Sequence, residues 1–160
     1  LVQAVLKSSL WIALLVSVLT LGAVFVAQYG FDLQPCVLCV YQRWPYAAVI
    51  AICLLAVLLK NQIAQIWFKL LAAIAFATTA GIAAFHVGVE QKWWKGTSSC
   101  SADSIPVKSL AELKAQIMAA PITKCDEIAW EMFGISMAGY NFLLAVVMVV
   151  FMLLSLRQER

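Results

Sequence analysis

Apolar residues fall into four long blocks along this chain, and polar residues crowd into the stretches between them. The blocks lie at about 10–29, 40–59, 68–89 and 137–156. Each is close to the ~20 residues a helix needs to cross a hydrocarbon core. The first and last carry no charge. The second reaches back through Val37 if Arg43 faces a protein interior or extends to the interface. The third, past Lys69, carries His86 near its end. Trp11, Trp44, Tyr46, Trp67, Trp93, Trp94 and Tyr140 fall near block ends, where amphipathic rings favour the headgroup level. The pattern predicts an all-α integral membrane four-helix bundle, up-down-up-down, forming one domain over 1–160. Both termini then share one side, and loops at about 30–39 and 90–136 share the other.

Composition agrees with a membrane setting. Hydrophobic residues make up 64% of the chain and the mean hydropathy is +0.94, whereas soluble domains run nearer half apolar. The 11 Lys and Arg are scattered and the net charge is +3, so nothing points to a nucleic-acid partner. The first block is long and lacks a small-residue cleavage pattern, so it is expected to be a retained span. Lys7, Lys60, Lys69, Arg157 and Arg160 cluster on short segments on one side. Arg43, Lys92, Lys95, Lys108, Lys114 and Lys124 are spread over longer loops on the other. Density makes the first side cytoplasmic, though the raw counts nearly tie. Four cysteines lie on the second side, and disulfides persist in oxidising compartments, which places that side outside the cytoplasm.

The second loop is the main polar region. Ser104 and Pro106 suit a helix start, Pro121 a stop, and apolar residues from Val107 to Met118 recur mostly at three- and four-residue steps. A short amphipathic helix to about Ala119 is expected, lying on the membrane surface or packed on the bundle. The segment after it is expected to swing Cys125 toward the first cysteine pair.

The chemistry resides in the cysteines. Cys36, Cys39 and Arg43 stand at i, i+3 and i+7, one helix face, behind a Pro35 that suits a helix start. A helix N-terminus and a guanidinium both favour a thiolate, and the spacing assigns it to Cys39. Cys100 and Cys125 form a second pair in the polar loop. The two pairs read as an electron path between soluble thiols and a lipid-phase carrier that Arg43 could hold. Structural disulfides are the competing reading, and one between Cys100 and Cys125 would add roughly 3 kcal/mol. No metal is expected, because Cys100 and Cys125 are too far apart in sequence for a usual zinc spacing. Cys53, mid-span, reads as core packing. His86 and Glu90, one turn apart at the depth of the first pair, are either structural and interfacial or part of the carrier site. Met137 reads locally as packing. Asn141 is a polar residue placed to bond across helices.

Pro35-Cys-Val-Leu-Cys-Val-Tyr-Gln-Arg43, His86-Val-Gly-Val-Glu90 with Trp93-Trp94, the Cys100/Cys125 loop and Gly134-Ile-Ser-Met137 together resemble the DsbB family of inner-membrane disulfide-generating proteins. The resemblance covers nearly the whole chain. The vitamin K epoxide reductase family uses similar parts but places its membrane CxxC after the loop pair. The resemblance implies a bacterial inner membrane location with cytoplasmic termini and periplasmic redox loops. It implies a thioredoxin-like partner of the DsbA type, whose thiolate attacks Cys100. Cys125 then attacks Cys36, Cys39 is freed beside a bound ubiquinone or menaquinone, and two electrons pass to that quinone. Arg43, His86, Met137 and Glu90 are the implied quinone-site residues. A non-catalytic scaffold with two structural disulfides and a transmembrane reductant conduit are the alternatives. The conduit needs thiols reachable from the cytoplasm, and Cys53 has no mate.

Overall fold

The computed structural model describes residues 8–59, 62–97, 100, 109–111, 114 and 123–158. Four long helices dominate: α1 (Ser9–Gly30), α2 (Val37–Leu59), α3 (Gln62–Glu90) and α4 (Met137–Arg157). All four are long and apolar enough to cross a membrane. In lipid every backbone polar group must be satisfied within its own segment, which is why these blocks fold as helices. Their outer faces keep large apolar side chains such as Leu19, Leu58, Trp67 and Val147 exposed, as a lipid-facing surface requires. The expectation of a four-helix membrane bundle holds. The predicted surface helix over 106–119 falls largely outside the described residues.

The bundle is held together unevenly. α3 packs extensively against both α2 and α4, while α1 rests mainly on α2. The main core joins Tyr46, Val49 and Cys53 of α2 to Phe76 of α3 and Met148 and Met152 of α4. Cys53 is fully buried there, behaving as a small hydrophobe. On α1 the buried residues are Ser9, Leu10, Ala13 and Ser17. Three of these four are small, which lets backbones approach closely. All four lie in the first half of the helix, so its second half stands away from the core.

The ends near the cysteines are locally pinned. Ser136 caps α4 by accepting from the Gly139 amide at 3.1 Å and donates its own hydroxyl hydrogen to Glu90 at the end of α3. Just before it, a hairpin pairs β1 (Glu131–Met132) with β2 (Ile135–Ser136). Its two-residue turn has φ of 54° at Phe133 and 75° at Gly134. That double left-handed geometry suits a tight hairpin whose twist matches its strands. Gly134 adopts it freely, while Phe133 does so at a cost. The hairpin is absent from the sequence expectations, because two-residue strands carry no readable alternation.

Beyond α3 the chain folds back on itself. The Trp94 indole nitrogen donates to the Phe85 carbonyl at 3.0 Å, and the Trp94 and Phe85 rings stack at 5.9 Å. This fold-back needs a bare backbone at Gly88, since a Cβ there would run into the Trp94 ring. We therefore expect Gly88→Ala to expel Trp94 and destabilise the protein by about 1–3 kcal/mol. Thermal unfolding in detergent, followed by tryptophan fluorescence, measures it. An unchanged midpoint and emission would show that the ring does not pack there.

Candidate functional site

Cys36 is the N-cap of α2. Its carbonyl accepts the first helical hydrogen bond, from the Val40 amide at 3.1 Å, and its sulfur accepts from the Cys39 amide at 3.3 Å. A side-chain acceptor at this position satisfies one of the free amides at a helix start. Pro35 stands just outside the helix, as the residue before the cap. His86 Nε2 lies 3.4 Å from the same sulfur, and the Cys39 sulfur lies 2.9 Å away. With an amide and an imidazole both directed at Cys36, its sulfur is the natural acceptor and the Cys39 thiol donates to it. These contacts hold the Cys36 thiol down at about 4. The Cys39 hydrogen bond is the largest cause, His86 adds to it, and burial opposes both.

This differs from the sequence expectation, which gave the thiolate to Cys39 through Arg43. Arg43 is otherwise engaged. Its Nη1 donates to Gln28 of α1 at 2.6 Å, and its guanidinium lies 5.4 Å from the centroid of the Phe25 ring. The spacing along α2 correctly put Arg43 on the cysteine face, but the partner on α1 decides where the guanidinium goes.

The second pair is bonded. Cys100 and Cys125 form a disulfide with Cα atoms 5.0 Å apart, across 25 residues of chain. Both are buried, and they pack in one cluster with Cys36, Leu38 and Val89, flanked by Cys39. Gly96 permits this, since a Cβ there would come within 2.9 Å of the Cys100 Cβ. The four loop cysteines thus pack together, three of them buried and Cys39 partly so. Cys125 is already beside the first pair, so no inward swing is needed to bring it there.

A cavity of about 400 Å³ opens on the other side of Cys39. It lies within the ~300–1,000 Å³ typical of small-molecule sites. α1 contributes apolar residues from its loosely packed second half, among them Ala23 and Ala27. α4 contributes Met137, and Trp130 joins it from just before the hairpin. Arg43, Gln42, Tyr46 and Asn141 are among the polar residues that face it, with Thr20, Gln34 and Tyr140. Cys39, Arg43 and Met137 therefore come together at one cavity. His86 and Glu90 are not among the lining residues. They lie behind α2, where His86 meets Cys36 and Glu90 meets Ser136, with 3.8 Å between His86 Nε2 and Glu90 Oε1.

Cys36, Cys39 and His86 also place three soft donor atoms within 4.8 Å of one another. The sulfurs are spaced for a hydrogen bond. A tetrahedral zinc site with Zn–S near 2.3 Å would hold them about 3.8 Å apart. Sequence reasoning missed Gln42 and Tyr46 as site residues. A glutamine between a CxxC and an arginine on an otherwise apolar helix was the available signal.

Four spans enclosing two cysteine pairs, one bonded and one free, define a membrane-embedded thiol–disulfide protein. The chain belongs to the DsbB family: residues 7–155 match the family described as disulfide bond formation protein DsbB. It is similar to the uncharacterized protein RP370 of Rickettsia prowazekii (strain Madrid E), with 31% identity over 139 residues, 86% of this chain and 80% of that one. It is similar also to disulfide bond formation protein B of Methylobacillus flagellatus, 30% identical over 72% of this chain and 71% of that protein. The protein of the same name from Mannheimia succiniciproducens is 26% identical over 87% of this chain and 84% of its own length. No solved structure matches the chain.

The lowered Cys36 value makes a pH prediction. A thiol held at about 4 when folded, against an ordinary 9.0, stabilises the reduced fold. That gain is full above 9.0, shrinks as pH falls, and is gone below about 4. Alkylation of Cys36 in the reduced protein, located by peptide mapping, should follow the thiolate and fall only as pH approaches 4. A fall near pH 9 would show an ordinary thiol.

Proposed function

We propose that this protein is a thiol:quinone oxidoreductase of the bacterial inner membrane. It reoxidises a periplasmic, thioredoxin-like dithiol oxidase of the DsbA type and delivers the electrons to ubiquinone or menaquinone. The observation that supports this best is the position of Cys39, which stands between the buried cysteine cluster and the cavity. One face of its environment is sulfur, and the other is a lipid-side pocket rimmed by Arg43.

The residues fit a quinone headgroup. The cavity is mostly apolar, with the Arg43 guanidinium at hand for a ring oxygen, while the donor hydrogens of Asn141 and Tyr46 are already taken within the protein. A quinone there would accept two electrons and two protons to become quinol. Arg43 would orient a ring oxygen and offset negative charge developing on it. Met137 and Trp130 would cover the ring.

The packing of the four cysteines in one cluster supports the following sulfur steps. A partner thiolate attacks Cys100, breaking the Cys100–Cys125 bond and releasing Cys125 as a thiolate. Cys125 attacks Cys36 of the Cys36–Cys39 disulfide, and Cys39 leaves as a thiolate beside the cavity. The partner's second thiolate then attacks its own sulfur in the mixed disulfide, closing the partner's disulfide and expelling Cys100 as a thiolate. Cys100 attacks Cys125, restoring the loop disulfide and freeing Cys36. Cys36 and Cys39, both now reduced, would close their own disulfide by giving up the two electrons that a bound quinone would take. Two electrons and two protons move from the partner dithiol to the quinone. Because the Cys100–Cys125 disulfide is buried, the motion that admits the partner is outward, away from the bundle. The cytoplasmic placement of both termini belongs to the same proposal and is supported by the density of short-loop cations.

Two experiments test this. Purified protein incubated anaerobically with a reduced dithiol partner and a soluble quinone should yield quinol. Single Cys→Ser changes at 36, 39, 100 or 125 should each abolish steady turnover, and Cys53→Ser should not. Full activity in Cys36→Ser or Cys100→Ser would sink the relay and leave structural disulfides. Separately, Arg43→Ala should weaken quinone use roughly tenfold to a hundredfold, with Arg43→Lys a partial rescue for want of the planar fork. Unchanged quinone dependence in Arg43→Ala would reduce that residue to tying α2 to α1.

A further inference from the structure

A connected set of hydrogen bonds runs behind Cys36, and its direction is fixed at one end. The Thr79 hydroxyl lies 3.0 Å from the Gln42 backbone carbonyl. A carbonyl can only accept, so the single hydroxyl hydrogen of Thr79 is committed there. The Asn141 side-chain atom 3.3 Å from that same hydroxyl must therefore be its amide nitrogen. Asn141 then turns its oxygen to the Tyr46 hydroxyl, 2.6 Å away, and donates a second hydrogen to the Gln42 side-chain oxygen at 2.6 Å. With its oxygen used, Gln42 presents its amide nitrogen to His86 Nδ1 at 2.9 Å. An amide nitrogen donates only, so Nδ1 must be unprotonated. The proton of the neutral imidazole then sits on Nε2, the atom facing Cys36.

We infer that Gln42, oriented by Asn141 and Thr79, is a positioning residue that locks His86 as an Nε2–H donor to the Cys36 sulfur. His86 and Thr79 are fully buried and Gln42 nearly so. The His86 end of the set is thus closed to water, while Asn141 and Gln42 also border the cavity. A ring without this lock divides its proton between Nδ1 and Nε2, and the Nδ1–H form would turn a lone pair toward the sulfur. The lock makes that arrangement cost a repulsive contact between Nδ1–H and the Gln42 amide. Glu90 does not substitute for Gln42. It faces the Nε2 side at 3.8 Å, and its other oxygen takes the Ser136 hydroxyl hydrogen.

The consequence for chemistry rests on the thiol relay proposed above. A fixed donor stabilises Cys36 as a thiolate, and so favours the reduced form of the Cys36–Cys39 couple. A dithiol whose reduced form is stabilised is the stronger oxidant toward incoming thiols. His86 would thus act on the sulfur side of Cys39, behind α2 from the cavity.

The chain contains a single histidine, so nitrogen NMR of protein labelled at histidine reports His86 without ambiguity. In the reduced wild-type protein near neutral pH, Nδ1 should give a pyridine-type signal and Nε2 a pyrrole-type signal. Gln42→Leu should shift both toward averaged values and move the Cys36–Cys39 equilibrium about three- to tenfold toward the disulfide. Thr79→Val, close to isosteric, frees the amides to flip and should average the signals in the same way should the leucine variant not fold. An Nδ1–H form or an imidazolium in the wild type overturns the inference, as do unchanged signals in the folded variants. Averaged signals with an unmoved equilibrium overturn the link to Cys36. None of these readings needs a partner or a quinone. If the relay were wrong, quinol would fail to appear while the histidine signals stayed as expected.

Discussion

The packing of α2 against α3 is the contact on which the rest depends. It brings Gln42 and Cys36 of one helix region up to His86 of the other, in a place from which water is excluded. Every polar group there must be matched by another protein group. The matching is done across helices: α2 to α3 through Gln42 and His86, α3 to α4 through Thr79 and Asn141 and again through Glu90 and Ser136. Sliding one helix by a turn would strand several buried donors at once. The same bonds that fix the register of the bundle therefore fix the chemistry of the dithiol at its end.

Much of this was legible in the chain. Four spans follow from hydropathy alone, because lipid leaves the backbone few options. The pairing of Cys36 with Cys39 and their place at a helix start follow from a two-residue spacer behind Pro35. Asn141 announced a cross-helix bond by being polar within an apolar block. What the chain concealed was the choice of partners. Arg43 is as near Cys39 by helical spacing as the sequence suggests, yet Gln28 and Phe25 of another helix hold it. His86 stands at the depth expected, but the rotation of α3 turns it to Cys36 instead of the cavity. Depth is encoded locally by the length of an apolar run. Rotation is set by packing between helices, which a single sequence shows only dimly.

The two sulfur pairs occupy different states in one pocket. The bonded pair is buried and the free pair is hydrogen bonded, and both belong to one apolar cluster. Burial shields the loop disulfide from solvent, and on the relay proposed above its proximity to the first pair would give it an exchange partner. This bears on the scaffold alternative. A purely structural disulfide gains nothing from packing against a second, unbonded dithiol whose sulfur is held as an acceptor. Cys53 supplies the contrast within the same chain, since it is a free thiol buried among aliphatic and aromatic side chains, with no hydrogen bond among the described residues.

The half-docked first helix has its own consequence. α1 is anchored by small residues near one end and, at the other, by the contacts of Arg43 with Gln28 and Phe25. Between these two fastenings, lipid and the cavity share the same helix face. If a tailed ring compound occupies the cavity as proposed, it would pack against Ala23 and Ala27, and its hydrocarbon tail would stay among the acyl chains. Recognition would then be confined to the head of the molecule, with tail length left to the bilayer. A membrane carrying a mixture of homologous carriers would present them all to this protein on equal terms.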